Sequence, residues 1–283
     1  EQDNANYLTA YGTDGFTVGS NANVNNSSDT YVSWNLKAGG SSNTFNIDGT
    51  GYATASAASL DGGNITPTAA SINTTAGFSM IGYTGNGSSS QTIKHGLSSA
   101  PEFIIIKDRN ANSNNDQWQI SNSHVGNKYG YFTTDAFAGV AQMVPSTTTN
   151  TIGLDATALT NESGDNFIMY SFHSVEGYQK FGLYKGNSNA DGTFIYTGFR
   201  PAWVMVKSTS SGTQWMMYDN KREGYNVDNN NLKTDDSTAE ATDDDVDFLS
   251  NGFKWRRSSP NFNQSDYLYW AISAQPFKYS NAR

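Results

Sequence analysis

Two apolar runs, each just after a proline, dominate the pattern of hydrophobic and polar positions along the chain. The first lies in Glu102–Ile106, after Pro101, and the second in Ala202–Val206, after Pro201. Consecutive apolar residues that follow a turn are typical of a strand buried on both faces. No long window has the i, i+3, i+4, i+7 spacing of an amphipathic helix. Aromatic and β-branched residues among Gly, Asn, Ser and Thr instead predict short strands with polar loops, and therefore an all-β fold.

The two runs belong to a longer internal repeat. The stretch 81–109 returns at 181–209, and three pairs of residues lie 100 positions apart: Gly82 and Gly182, Pro101 and Pro201, Lys107 and Lys207. Each copy continues with a tryptophan, and the closing stretches 165–178 and 265–277 are also alike. This self-similarity predicts two modules, 77–178 and 179–283, each a β-sandwich of jelly-roll type. The residues expected to form the repeated core are Phe103, Ile105, Trp118, Trp203, Val204 and Trp215.

The chain before residue 77 differs in character. Residues 1–40 contain Asp29–Gly40, which is similar to the closing stretches, and therefore predict the last two strands of a partial repeat. Residues 41–76 are rich in Ser, Thr, Gly and Ala and have few core candidates, which predicts a polar linker or an extended arm. A lone hairpin is marginal in water, so the partial repeat is expected to pair with a neighbour.

Charge and composition narrow the classes of function. The formal net charge of −9 over 283 residues argues against a nucleic-acid partner, which requires clustered Lys and Arg. The chain has no cysteine, so disulfides and thiolate metal sites are excluded. No apolar run has the length needed to cross a bilayer, and membrane insertion is therefore not expected.

Several of these segments resemble a repeat family that is common in structural proteins of marine bacteriophages. The resemblance covers nearly the whole chain and rests on these residues: Trp34, Lys37–Gly40, Tyr83-Thr84-Gly85, His95-Gly96-Leu97, Pro101 and Lys107. Members of the family are tail-fibre-like or virion-associated proteins, so the resemblance implies a particle component without an established catalytic residue set. The second module departs from the pattern, because Thr197-Gly198-Phe199 stands in place of the His-Gly-Leu element.

Motifs that carry catalysis or metal binding are weak in this sequence. His95 is interpreted as a polar turn residue, because its counterpart is Thr197 and the chain has three histidines without metal-ligand spacing. The acidic run Asp243–Asp247 offers oxygen ligands for Ca²⁺ but lacks the spacing of an EF-hand, so a solvated loop is the favoured interpretation and metal binding stays open. The strand end at Trp255–Arg257 is interpreted as facing outward. Nucleophile elbows and P-loops are missing, so no catalytic residue, cofactor or metal is predicted.

Aromatic loops provide the binding candidates. Flat aromatic faces beside planar hydrogen-bonding groups can grip sugars or other partners without a deep pocket. For the residues of these loops a binding role and a structural role both stay open: Tyr129, Tyr131, Tyr218, Arg222 and Tyr225.

The expected function is that of a bacteriophage virion protein, a tail fibre, spike or capsid-associated fibre on the particle surface. It would act in assembly and in attachment to host-surface glycans. The alternatives are a capsid decoration protein without receptor binding and, with less support, a glycan depolymerase. The expected partners are other virion proteins, a host glycan and further copies of the chain, with a trimer as one arrangement.

Overall fold

The computed structural model describes residues 6–12, 15–110, 117–126, 128–139 and 143–276. Within these residues the chain is almost entirely β-structured, which confirms the predicted all-β fold. Helical structure in this part of the chain is limited to α1 (Ala22–Asn25) and a 3-10 turn (Ser123–Val125). Neither approaches the length and apolar character of a membrane-crossing helix.

The described residues form twenty strands. In chain order they are β1 (Leu8–Tyr11), β2 (Phe16–Val18), β3 (Phe45–Ile47), β4 (Thr50–Tyr52), β5 (Ala69–Asn73), β6 (Phe78–Thr84), β7 (Gln91–Lys94), β8 (Phe103–Asp108), β9 (Gln119–Asn122), β10 (Tyr129–Tyr131), β11 (Thr151–Leu154), β12 (Asn166–Phe172), β13 (Gln179–Lys185), β14 (Phe194–Tyr196), β15 (Pro201–Ser208), β16 (Met216–Asp219), β17 (Asp228–Lys233), β18 (Ala241–Leu249), β19 (Gly252–Trp255) and β20 (Asp266–Ser273).

Two eight-stranded sheets organise the fold. The first has the order β10-β9-β8-β12-β6-β5-β3-β4, and the second has the order β13-β20-β15-β16-β17-β18-β19-β14. All pairings are antiparallel except that of β3 with β5. A separate pair, β7 with β11, shares a buried cluster with the first sheet through Ile93, Ile152 and Leu154.

The strands formed by the two apolar runs are central in their sheets. Strand β8 lies between β9 and β12, and β15 lies between β16 and β20. Every residue of β8 is buried, because alternate side chains point to two different clusters: Ile104 and Ile106 to one, Phe103 and Ile105 to the other. A strand covered on both faces requires an uninterrupted apolar sequence, which is what the run supplies.

Strand pairing follows the same plan in both sheets. Phe103 pairs with Phe172 and Trp203 with Ile272, so β8–β12 and β15–β20 correspond at an offset of 100. The offset is one residue larger for β6 and β13, the strands on the other side of β12 and β20. Gly82 pairs with Ile168, whereas the equivalent position Leu268 pairs with Leu183. Gly82 is therefore equivalent to Leu183, and the predicted match of Gly82 with Gly182 is wrong by one residue.

Matching hydrogen bonds support this alignment. The hydroxyls of Tyr83 and Tyr184 donate to the carbonyls of Thr160 and Phe262, respectively, at 2.6 and 2.7 Å. Two fully buried asparagines, Asn161 and Asn263, follow those carbonyl positions, and each accepts a backbone N–H and donates to a loop carbonyl. The common plan supports a tandem arrangement, whose detailed boundaries stay a prediction.

The segment 41–76 is not a free linker. It supplies β3, β4 and β5 to the first sheet, so the expectation of a linker or arm needs correction. Its apolar side chains are few but buried in the first cluster: Phe45, Ala55, Ala58, Leu60, Ile65, Ala70 and Ile72. Small residues let this segment pack closely against β6. Backbone hydrogen bonds to the sheet hold its strands in place, although the sequence has few of the apolar residues that usually indicate a strand.

The N-terminal region also differs from its prediction. Strands β1 and β2 form an exposed hairpin. Residues 29–36, which resemble β12 and were expected to be a strand, have no regular secondary structure and pair with no strand of the described residues. Their apolar side chains are largely exposed, notably Tyr31 and Trp34. In the two large sheets, β12 and β20 each lie between two paired strands. Within the described residues no strand pairs with residues 29–36, so this β12-like sequence lacks the neighbours that it would need to form a strand.

The two sheets pack on each other through an aromatic cluster. Phe103 and Phe172 of the first sheet meet Phe181 and Trp270 of the second, with ring centroids 4.6–6.3 Å apart across the interface, and Phe78 stacks on Phe172. Aromatic pairs at such distances contribute beyond their buried area. Most of the predicted core residues lie in this cluster: Phe103, Ile105, Trp203 and Trp215 are buried, and Trp118 packs against them half-buried. Val204 is buried in the core of the second sheet.

Lys207 adds a polar tie between the sheets. Its buried ammonium group donates to the carbonyls of Thr133 and Thr134 from the first module, and to that of Thr213. Burial lowers the pKa of Lys207 to about 8, against the opposing effect of Asp235 and Asp135.

Candidate functional site

A groove beside the N-terminal segment 29–36 is the strongest candidate site. The segment lies over the second sheet, where Trp34 meets Trp203 edge to face with ring centroids 6.4 Å apart. Two neighbouring clefts flank it, and Val32 lines both. We refer to them as the aromatic cleft and the charged cleft.

The aromatic cleft has a volume of about 540 Å³. Its aromatic lining comes from Trp34, Tyr178, Trp203 and Trp270. Trp203 and Trp270 are buried in the sheet, whereas Trp34 is 41% exposed. Lys221 and Asp219 lie at the border of this cleft and add polar groups to its apolar walls.

The charged cleft has a volume of about 720 Å³ and is built around Arg222. The Arg222 Nε donates to the Asp219 carboxylate at 2.7 Å, and Nη1 bonds Glu240. Its Nη2 is buried and has no hydrogen-bond partner among the described residues. Tyr31 and Asn230 also line the cleft, so an aromatic ring, an amide and a fixed guanidinium face one space.

The electrostatics of this cleft follow from the pairing of Arg222. Burial alone would raise the pKa of Asp219, but hydrogen bonds from Arg222 and from the Lys221 amide outweigh it, and the pKa lies below its usual value. The carboxylates of Asp219 and Glu240 in turn raise the pKa of Arg222, against the effect of the burial of Arg222. Arg222 is therefore held as a rigid cation between Asp219 and Glu240.

Asp228, at the start of β17, is a second unusual group in this region. Its Oδ1 accepts a 3.3 Å bond from the Asn230 amide, while its Oδ2 is buried without a partner in the described part of the chain. Burial raises the pKa of Asp228 to about 7, and Asp219 and Glu223 add to the rise. A carboxyl that is partly neutral near pH 7 can both donate and accept hydrogen bonds.

The structure separates the predicted binding residues. Arg222 lies in the charged cleft. Tyr225 is 68% exposed but does not line either cleft. Tyr218 is fully buried and donates to Asp245 at 2.7 Å, so its proposed role in contacting a ligand is wrong. Its hydroxyl satisfies a buried carboxylate instead.

Tyr129 and Tyr131 lie elsewhere, on the edge strand β10 of the first sheet. Their rings are half-buried and meet edge to face at 5.4 Å. Burial raises the pKa of Tyr131 to about 12, with a contribution from Tyr129. The Tyr131 carbonyl accepts a 2.8 Å bond from the Trp215 indole of the second module. Tyr131 therefore takes part in a contact with the second sheet, and neither tyrosine lines the groove.

His95 has a structural role in its turn. Its Nδ1 accepts the Leu97 amide at 3.1 Å, and its Nε2 lies 3.1 Å from the Thr148 carbonyl, so Nε2 carries the proton. Thr197 accepts the Phe199 amide in the same way in the second module. Burial lowers the pKa of His95 to about 4. Both ring nitrogens are engaged with the backbone, which leaves none for a substrate or metal.

The acidic run is not a solvated loop, because it forms part of β18. Asp243, Asp245 and Asp247 alternate along the strand and pair with two arginines that follow β19. Arg257 binds both Asp243 and the buried Asp245, and Arg256 lies 3.5 Å from Asp247. The expectation of an outward-facing strand end is wrong for Trp255, which is fully buried, whereas the side chains of Arg256 and Arg257 are 42% and 43% exposed. Within the described residues no cluster of three or more His, Asp or Glu side chains could hold a metal ion.

Sequence reasoning missed the contribution of residues 29–36 to the site. In the sequence, Trp34 contributes to the family resemblance and Trp203 is a predicted core residue, but nothing links the two. Their contact joins positions far apart in the chain, and the spacing of either residue carries no sign of it. The signal that the sequence does carry is the concentration of apolar residues in this short segment, Tyr31, Val32, Trp34 and Leu36, which need a surface to pack on.

Comparison with known proteins gives a family but no described activity. Neither the curated proteins nor the solved structures contain a significant match to the chain. Residues 1–276 match a family described as a domain of unknown function, DUF7483, and the chain belongs to that family.

Proposed function

We propose that this chain is a non-catalytic component of a bacteriophage particle that attaches to host-surface glycans through the groove beside residues 29–36. The particle assignment rests on the resemblance of the repeats to virion-associated proteins. The attachment role rests on one observation, a partly exposed tryptophan in a cleft that adjoins, at Val32, a second cleft lined by a fixed polar cluster.

The aromatic cleft suits the apolar face of a sugar ring. Trp34 is exposed and is held edge to face against Trp203, so its position is set before any ligand arrives. Preorganised aromatic side chains give contact area at a low cost in conformational entropy. Stacking of a sugar on Trp34 would leave its hydroxyls directed toward the Asp219 and Lys221 border.

The charged cleft suits hydroxyl groups. Arg222 and Asn230 offer planar donors, and Glu240 offers acceptors within the same space. Around the groove the carboxylates of Asp29, Asp219 and Glu240 offset the cations Lys221 and Arg222. An anionic ligand would therefore gain little from charge, and we infer a neutral glycan.

Binding to a glycan array tests the proposal. Trp34→Ala should weaken binding of the selected neutral glycan at least about tenfold, because an exposed tryptophan anchor is removed. Tyr225→Ala is the matched control, since Tyr225 is an exposed aromatic residue outside both clefts. Equal affinities for the Trp34 variant and the native chain would overturn the groove assignment.

A decoration protein without receptor binding is the second candidate. It is favoured by the buried aromatic cluster that joins the two sheets, which would make a stiff building unit. Imaging of labelled particles distinguishes the two functions. Many symmetric copies on the capsid, with no retention by host cells, would support decoration, whereas copies at the tail together with cell binding would support attachment. Release of reducing sugar from a host polysaccharide would instead support a depolymerase.

A further inference from the structure

The aromatic cleft and the charged cleft adjoin along two segments of the chain. In the N-terminal segment, residues 32–36 line the aromatic cleft and residues 29–32 line the charged cleft, with Val32 common to both. At the end of β16, Asp219 and Lys221 line the aromatic cleft, whereas the next residue, Arg222, lines the charged cleft. The two clefts therefore share a boundary that is built from both segments.

An ion pair fixes this boundary. The Asp219 Oδ2 accepts a 2.7 Å bond from the Arg222 Nε, and the Asp219 Oδ1 accepts the backbone amides of Lys221 and Arg222 at 2.9 and 3.1 Å. Both side chains of the pair are largely buried. A buried ion pair with further hydrogen bonds holds one geometry, so the relative position of the two clefts is set before a ligand binds.

Each cleft is large enough for a ligand group of its own. The volumes of about 540 and 720 Å³ both lie within the range of about 300–1,000 Å³ that is typical of small-molecule sites. Trp34 lines the aromatic cleft alone, and Asn230 and Glu240 line the charged cleft alone. A single sugar ring on Trp34 would therefore leave the polar groups of the charged cleft without a ligand.

We propose that the groove recognises two linked sugars within a neutral oligosaccharide, and not a single terminal sugar; this inference rests on the proposed function. One ring lies in the aromatic cleft against Trp34. The ring linked to it places its hydroxyls toward Asn230 and Glu240, and the glycosidic linkage passes Val32. Two weak contacts that are joined in one ligand add affinity, because the second contact forms at a high effective concentration.

The fixed boundary also makes the linkage between the two sugars a determinant of specificity. The gain from joining two contacts is lost when the geometry of the linker forbids both contacts at once. A disaccharide with the wrong linkage should therefore bind no more tightly than one of its monosaccharides.

Titration calorimetry of the full chain with sugars of increasing length tests this inference. The probes are glucose, galactose and mannose, their α- and β-linked di- to tetrasaccharides, and the fragments of any neutral glycan that the array retains. The best disaccharide or longer probe should bind at least about tenfold more tightly than its constituent monosaccharide. The isomer with the other linkage should lose this gain.

Two matched variants assign the gain to the charged cleft. Asn230→Ala should weaken binding of the best oligosaccharide about fivefold through a lost hydrogen bond, and should leave the affinity for the monosaccharide unchanged. The unchanged monosaccharide affinity also shows that the variant is folded. Asn150→Ala is the control, because Asn150 is an exposed asparagine outside both clefts.

Two results would overturn the inference and leave the proposed function intact. The first is equal affinity for the monosaccharide and the oligosaccharides, with Trp34→Ala still weakening binding of all of them. The second is an equal effect of Asn230→Ala and Asn150→Ala on oligosaccharide binding. Failure of every probe to bind would instead overturn the proposed function together with this inference.

Discussion

At the scale of single residues, His95 is a neutral histidine that stabilises a turn. The folded-state pKa of about 4 lies below the ordinary value of 6.5. Between these values the unfolded chain takes up a proton that the folded chain does not, so the free energy of unfolding falls as the pH falls from about 6.5 to 4. The contribution of this one residue over that range is about 3 kcal/mol.

His95→Thr should remove this acid sensitivity. The replacement copies Thr197 of the second module, whose hydroxyl caps the same turn and does not titrate. The difference in unfolding free energy between native and variant chains should shift by about 3 kcal/mol in favour of the variant between pH 7 and pH 4. Urea unfolding at the two pH values measures it. Carboxylates common to both chains cancel in this difference, so parallel pH profiles would refute the prediction.

The sequence allowed the role of His95 to be predicted but not that of Tyr218. For His95, the internal repeat offered Thr197 as a counterpart, and a position that accepts His or Thr is a polar capping position. For Tyr218, the deciding partner is Asp245, 27 positions away in an acidic run. An aromatic residue with a hydroxyl suits a binding loop and a buried hydrogen bond equally well.

At the scale of elements, β18 and the chain after β19 are held together by ion pairs of unequal burial. Arg257 neutralises Asp245, which is fully buried, whereas Arg256 pairs with Asp247 near the surface. Burial raises the pKa of Asp245 to about 6, although hydrogen bonds from Tyr218 and Arg257 oppose the rise. Removal of one member of a buried pair leaves an uncompensated charge.

Arg257→Ala should therefore destabilise the chain by about 3 kcal/mol at pH 7.5, while Arg256→Ala should cost less than about 1 kcal/mol. Chemical denaturation of the two variants measures the difference. The loss in the Arg257 variant should shrink as the pH falls toward 6, because Asp245 without its arginine takes up a proton above the pKa of about 6 that it has in the native chain. Equal losses for the two arginines would contradict the prediction.

Elements with a long apolar run were predictable, and elements built by pairing were not. Strands β8 and β15 are central because their sequences are apolar on both faces. Strands β3 to β5 lie in a stretch of small polar residues and exist because β6 offers an edge to pair with. The reverse holds at 29–36, where a β12-like sequence has no strand neighbours in the described structure and forms no strand. Strand formation depends on context as much as on propensity.

At the scale of the whole molecule, the aromatic cluster between the sheets couples the two modules. Trp270 lies at its centre, with ring centroids 4.6–5.7 Å from those of Phe103, Phe172, Phe181 and Trp203. It belongs to the second module, and two of these four partners belong to the first. Lys207 reaches across the same boundary to the carbonyls of Thr133 and Thr134. The modules of such a pair should not unfold independently.

Calorimetry should accordingly give one cooperative transition for the native chain. Trp270→Ala should lower the unfolding free energy by about 3–5 kcal/mol, through lost burial and a cavity in the shared cluster. Ile152→Ala, in the core of the first module and remote from the second sheet, is the comparison. If the modules are coupled, this variant also reduces hydrogen-exchange protection of β13 and β20. Two separate transitions, of which Ile152→Ala shifts only the one that belongs to the first module, would contradict this prediction. The aromatic cluster would then join the modules without making them one folding unit.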